Sequence, residues 1–130
     1  MTNIDDPIIN EDVETIASRL GKNASLLEGK TILLTGGSGF IGKYIGGTLL
    51  YLNKNYLSSP CKIISVDNYI TSKEANKFSG KFLKYIEADV TKPLKVDGNI
   101  DYIFHAAGIA SPIYYRRYPL ETIDVAVNGT

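Results

Sequence analysis

The chain has one cysteine, Cys61, in 130 residues, so no internal disulfide can staple it, and a reducing compartment is its natural setting. No base or motif accompanies that thiol, which reads as a buried side chain beside a strand rather than a nucleophile. Charge of one sign is equally lacking, because 14 lysines and arginines balance 14 aspartates and glutamates. No net field favours nucleic acid or an anionic membrane surface, and the expected ligand is small. Long apolar runs are missing too. The longest candidate, Phe40 to Leu52, is broken by Gly42, Lys43, Gly46 and Gly47 and falls short of the roughly 20 residues that a bilayer demands. The opening Met-Thr-Asn-Ile-Asp-Asp has neither a basic start nor an apolar stretch with a cleavage site, so the expected location is cytoplasmic.

What is present is an apolar content of 44%, enough for the core of one domain at this length. Residues 1–29 read as a helical extension. Asn10 can cap a helix with Glu11 and Asp12 in its first turn, Val13, Ile16, Ala17 and Leu20 repeat at helical spacing, and Gly21 ends it. That apolar stripe is expected to dock on the main domain.

Residues 30–130 read as an α/β domain. Thr31 to Thr35 is a short β-rich apolar run, as expected of a parallel strand buried on both faces. Gly36 to Gly39 is a turn, and Phe40 to Leu52 a helix with Ile41, Ile45, Leu49 and Leu52 along one side. A polar loop from Asn53 to Pro60 leads to a second strand, Lys62 to Val66. Thr71 to Gly80 is a loop or irregular helix, Phe82 to Ala88 a third strand, and Asp101 to His105 a fourth, introduced by Asp97-Gly98-Asn99. A last helix is expected from Pro119 toward Thr130. Strands alternating with crossovers predict a Rossmann-type, doubly wound parallel sheet in the order 3-2-1-4. Its fourth strand lies at an edge, where Tyr102, Ile103 and Phe104 lose part of their cover.

The chemistry is concentrated where the first strand meets its helix. In Thr35-Gly36-Gly37-Ser38-Gly39-Phe40-Ile41-Gly42, Gly36 permits a tight turn, Gly39 lets backbone approach a pyrophosphate, and Gly42 lets the helix pack closely on the strand. The unpaired N–H groups around Phe40 and Ile41 then face the phosphates. Asp67, directly after the second strand, stands where a dinucleotide fold places an acid on the adenosine ribose. No arginine sits beside it to accept a 2′-phosphate, so NAD is favoured over NADP. The plainer role for Asp67 is to cap the turn it shares with Asn68.

These segments resemble the extended short-chain dehydrogenase/reductase family, the NAD-dependent epimerases and dehydratases, over residues 30–130. The fingerprint at 35–42 is similar to that family's, as is Val66-Asp67-Asn68 to its ribose-binding turn. Ala88-Asp89-Val90 resembles the segment whose aspartate contacts the adenine amino group, Asp89 here, with turn capping as the alternative. His105-Ala106-Ala107-Gly108 resembles the loop that runs along the cofactor toward the nicotinamide, and small residues suit a backbone lying on a flat ligand. The resemblance leaves His105 as a packed strand-end residue, since the family's proton-transfer group lies elsewhere.

Ala110-Ser111-Pro112, Tyr115, Pro119 and Thr122 are most similar to UDP-glucuronate decarboxylases and related sugar-nucleotide enzymes. The resemblance implies an enzyme that oxidises a sugar hydroxyl with bound NAD, rearranges the keto intermediate and returns the hydride, working as a homodimer. Ser111, Tyr115 and Arg116 become substrate contacts, and Arg116 with Arg117 could reach a diphosphate or stand as solvated cations. Two departures qualify it. The family's helical Asn falls at Ala126 here, with Asn128 displaced by two residues onto another face. The family's catalytic Ser or Thr and its Tyr-x-x-x-Lys are expected beyond residue 130, and no tyrosine here precedes a lysine at that spacing in a matching context, so the chain alone is expected not to turn over. A non-catalytic NAD-binding module, or a reductase of a non-sugar substrate, remains the alternative.

Overall fold

The computed structural model describes residues 6–71 and 77–130. Half of the 71–80 loop expectation, residues 72–76, therefore lies outside the described residues. The chain opens with α1, Pro7–Leu20, followed by a 3₁₀ turn over Gly21–Leu27. The α1 cap is Asp6, whose carboxylate accepts from the Ile8 amide at 2.9 Å, and not Asn10, which lies inside the helix. Pro7 explains the earlier start: it lacks the N–H that a first-turn residue would leave unpaired, and its fixed φ suits that position. Glu11 and Asp12 consequently fall beyond the first turn.

Four strands follow: β1 Thr31–Thr35, β2 Lys62–Asp67, β3 Leu83–Glu87 and β4 Tyr102–His105. They form one parallel sheet in the order β3-β2-β1-β4. The helix α2, Phe40–Asn55, crosses from β1 to β2, and α3 (Pro112–Arg117) and α4 (Pro119–Asn128) follow β4. The separate helix α3 was not legible as one. Pro112 supplies a first-turn proline, but the helix is only six residues long and four of them, Tyr114 to Arg117, are aromatic or charged, whereas Pro119 starts α4 as expected.

Two apolar clusters hold the sheet. Ile32 and Ile63 meet Leu49, Leu50 and Leu52 of α2 on one face, with Ala17, Ala24 and Cys61 in the same cluster. On the other face Leu33, Ile64 and Val66 are covered by Ile86, Ala88, Val90, Leu94, Val96 and Ile100, so the irregular stretch between β3 and β4 replaces a helix there. The side of α2 that turns inward differs from the expected stripe. Gly42, Gly46 and Gly47 are buried with Leu49 and Leu52, while Ile41 is exposed, because glycines permit the closest approach. Burial raises the Cys61 thiol above its ordinary pKa, consistent with an inert side chain.

The extension is part of this core. Val13 and Ala17 of α1 are fully buried, and Asp12 accepts from the Tyr44 hydroxyl of α2 at 3.0 Å. Ala17→Arg would drive a charged side chain into that contact. We expect it to cost on the order of 2–4 kcal/mol, read from chemical denaturation. An unchanged midpoint would mean that α1 is not docked. At the sheet edge β4 leaves Ile103 64% exposed, and Tyr102 and Phe104 help line an apolar groove with Leu20 and Ile41.

Candidate functional site

Parallel strands end at one side of the sheet, and a cleft opens there between the loops that follow them. The turn after β1 forms its floor. Gly36 has φ +67, and a Cβ there would lie 2.5–2.6 Å from Ala106 O and Ala107 N, so only glycine fits. A Cβ at Gly42 would overlap the Gly36 carbonyl. This glycine therefore lets the helix pack on the turn rather than on the strand. Gly37, given no role by the sequence, is constrained less firmly, because its Cβ would overlap Ser65 Oγ of β2, a side-chain atom that can rotate, rather than backbone.

Gly39 behaves differently. It caps α2 with an extended backbone, and the sole close neighbour of its Cβ would be Gly36 O at 3.2 Å. Beyond that atom the position faces the cleft, which Gly39 lines together with Gly36. The first amides of α2 have no helical carbonyl ahead of them, and its N-terminus carries the positive end of the helix dipole. The Phe40 ring, 77% exposed, turns away to meet Tyr44 edge-on at 5.3 Å. Phe40, Ile41 and Gly42 thus do not line the cleft with side chains.

Asp67 ends β2 inside the cleft. One carboxylate oxygen accepts from the Ser38 amide and the other from the Tyr69 amide, each at 2.9 Å. The capping role and the cleft position coexist, and the carboxylate also ties the glycine turn to β2. Tyr69 is held at φ +56, costly for a ringed residue, by this bond and by the Lys77 ammonium 4.7 Å from its ring. Asn68 caps the same turn through the Ile70 amide at 3.1 Å.

Asp89 lines the cleft beside Val90. Its Oδ1 accepts from the backbone amide of Thr91 and from the Thr91 hydroxyl, and these bonds hold its carboxyl below the usual range. It stays ionised at neutral pH, with Oδ2 outside those two bonds. Ala106, Ala107 and Gly108 form the opposite wall.

The structure brings most of the expected cofactor residues together, but not the substrate candidates. Ser111 sits at the start of α3, and Tyr115, Arg116 and Arg117 lie on that helix, none of them on the cleft. Missed altogether were Glu121, Asp124 and Val125, which α4 presents to the cleft. Their i, i+3, i+4 spacing marks one helical face, and that periodicity was the available signal. Asn128 donates to Asp124 instead of entering the cleft. Among the described residues no group of acidic, histidine and cysteine side chains is placed to hold a metal, and no helix is long and apolar enough to cross a membrane.

Comparison with known proteins adds to this geometry. Residues 32–130 match the model of the NAD dependent epimerase/dehydratase family. The chain is 41% identical over 102 residues to UDP-glucuronic acid decarboxylase 6 of Arabidopsis thaliana, covering 76% of this chain and 27% of that protein. UDP-glucuronic acid decarboxylase 1 of Danio rerio is 31% identical over 104 residues, covering 78% and 23%. The chain thus spans about a quarter of the length of these relatives. Among solved structures, epimerase Mth375 from Methanothermobacter thermautotrophicus superposes with a TM-score of 0.68 at 22% identity, covering 86% of this chain and 32% of that one. WbmF of Bordetella bronchiseptica, in complex with NAD+, gives 0.61 at 23% identity, covering 77% and 29%.

Proposed function

Because this chain belongs to the NAD dependent epimerase/dehydratase family, we propose that its cleft binds NAD and serves an enzyme acting on a nucleotide sugar. The observation that carries this reading is the convergence, in one cleft at the strand ends, of Gly36 and Gly39, the carboxylates of Asp67 and Asp89, and the small residues 106–108. Each has a partner in the dinucleotide. The glycine turn and the first amides of α2 take the pyrophosphate. Asp67 accepts from the adenosine ribose with Asn68 beside it, and Asp89 accepts from the adenine amine while Val90 packs on the ring. Ala106 to Gly108 leave room for the remaining length.

NAD, when bound, supplies the hydride acceptor for a sugar hydroxyl and the donor that later reduces the rearranged sugar. This chain's residues bind and orient it. None is assigned the proton-transfer step, so the chain alone does not turn over in this reading. The UDP-glucuronic acid decarboxylase relatives support a sugar nucleotide as substrate.

The test is the choice between NAD and NADP. A 2′-phosphate would stand against Asp67, and among the described residues lining the cleft there is no lysine or arginine. We expect NADP to bind at least about tenfold more weakly than NAD at low salt, with the gap narrowing as salt screens the charge. Equal or tighter binding of NADP by calorimetry would remove the assignment of Asp67 to the ribose.

A further inference from the structure

Thr35 ends β1 and His105, which is exposed rather than packed as the sequence suggests, ends β4, directly opposite each other in the parallel register. The residue after each begins a wall of the cleft, Gly36 on one side and Ala106 on the other. These walls touch, since a Cβ on Gly36 would meet the Ala106–Ala107 peptide. The Thr35 side chain bridges them. Its Oγ1 lies 2.7 Å from His105 Nδ1 and accepts from the Ala107 amide at 3.4 Å, while its carbonyl accepts from the Ala106 amide at 3.0 Å.

Hydrogen accounting gives these bonds a direction. The Ala107 N–H can only donate, so it occupies a lone pair of the threonine oxygen. Thr35 is 5% exposed, and its own hydroxyl hydrogen needs an acceptor, which His105 Nδ1 supplies when the imidazole is neutral with its proton on Nε2. In the other tautomer two donors would point at one hydroxyl oxygen, and the hydroxyl hydrogen would lose His105 Nδ1 as its acceptor.

We infer that Thr35 and His105 form a positioning pair, in which the threonine hydroxyl, held between the Ala107 amide and His105 Nδ1, fixes the separation of the glycine turn from the 106–108 wall. Neither Thr35 nor His105 is among the residues that line the cleft. The pair acts through the backbone it anchors, and its effect on affinity rests on the reading of the cleft as an NAD site.

His105 is the sole histidine of the chain, so its two ring nitrogens can be read directly by ¹⁵N NMR. The full chain, with the imidazole neutral, should show a single tautomer with the proton on Nε2. Thr35→Val should lose that preference and weaken NAD binding about five- to tenfold, the scale of one lost hydrogen bond. Thr35→Ser should restore both signals. His105→Asn, whose amide oxygen can replace Nδ1, should bind NAD more tightly than His105→Ala, which carries the test if Thr35→Val does not fold. A wild-type proton on Nδ1, a tautomer indifferent to Thr35→Val, or equal NAD affinity for the asparagine and alanine variants would overturn the pairing. If wild type does not bind NAD while the tautomer responds as expected, the NAD assignment falls, and with it the pair's proposed effect on affinity.

Discussion

Gly36→Ala is expected to lower the stability of the fold by about 2–5 kcal/mol and to remove NAD binding with it. Two costs combine. The position is left-handed, at φ +67, which an alanine adopts at roughly 1–2 kcal/mol. The added methyl also meets the Ala106–Ala107 peptide at 2.5–2.6 Å, where the neighbour is backbone of an adjoining strand end and cannot swing aside, so overpacking adds about 1–3 kcal/mol. Relief requires the ends of β1 and β4 to part. Urea denaturation measures the first effect and calorimetry the second. An alanine variant with a wild-type midpoint would mean that the turn is not built as described.

Asp67→Ala is expected to reduce NAD affinity by about 30- to 100-fold, more than one ribose contact would explain. The carboxylate already accepts from the Ser38 and Tyr69 amides, and hydrogen bonds to a charged group contribute roughly 1.5–3 kcal/mol each. Removing it frees the glycine turn from β2 and releases Tyr69 from its left-handed conformation, while the ribose loses its acceptor. Asp67→Asn should fall between, since one amide oxygen can keep one of the two backbone donors. If both variants bind NAD like wild type, Asp67 faces neither the loop nor the ligand in the way the structure indicates.

The sequence made the sheet legible because parallel strands buried on both faces leave continuous apolar runs. Ile32 to Leu34 and Ile63 to Val66 mark two of them with little ambiguity, and glycines fix the turn between the first strand and its helix. It was less informative wherever competition among local signals decided the outcome. Asp6 displaced Asn10 as a cap because Pro7 starts the helix, and α3 was hidden by its short, polar, aromatic composition. Within the site, the residues on strand ends were readable from their place after each strand. Glu121, Asp124 and Val125 share one helical face in the sequence, but that spacing does not say which surface the face meets, and the fold alone brings α4 over the cleft. Asp67 and Asp89 each cap a turn and also line the cleft, Asp67 with both oxygens accepting amides and Asp89 with Oδ2 outside its turn bonds, so capping and a place on the cleft are not alternatives.

The most direct measurement is calorimetric titration of NAD into the wild-type chain and into Gly39→Val. Gly39 separates the site from the fold better than its neighbours. At Gly36 and Gly42 an added side chain strikes protein backbone, whereas at Gly39 its one close atom is Gly36 O at 3.2 Å and the rest of the space belongs to the cleft. Wild type should bind one NAD per chain. Gly39→Val should keep a cooperative unfolding transition and lose at least about tenfold in affinity, because its side chain fills the space assigned to the pyrophosphate. A wild-type chain that takes up no NAD, or a valine variant that binds as tightly as wild type, would contradict the account.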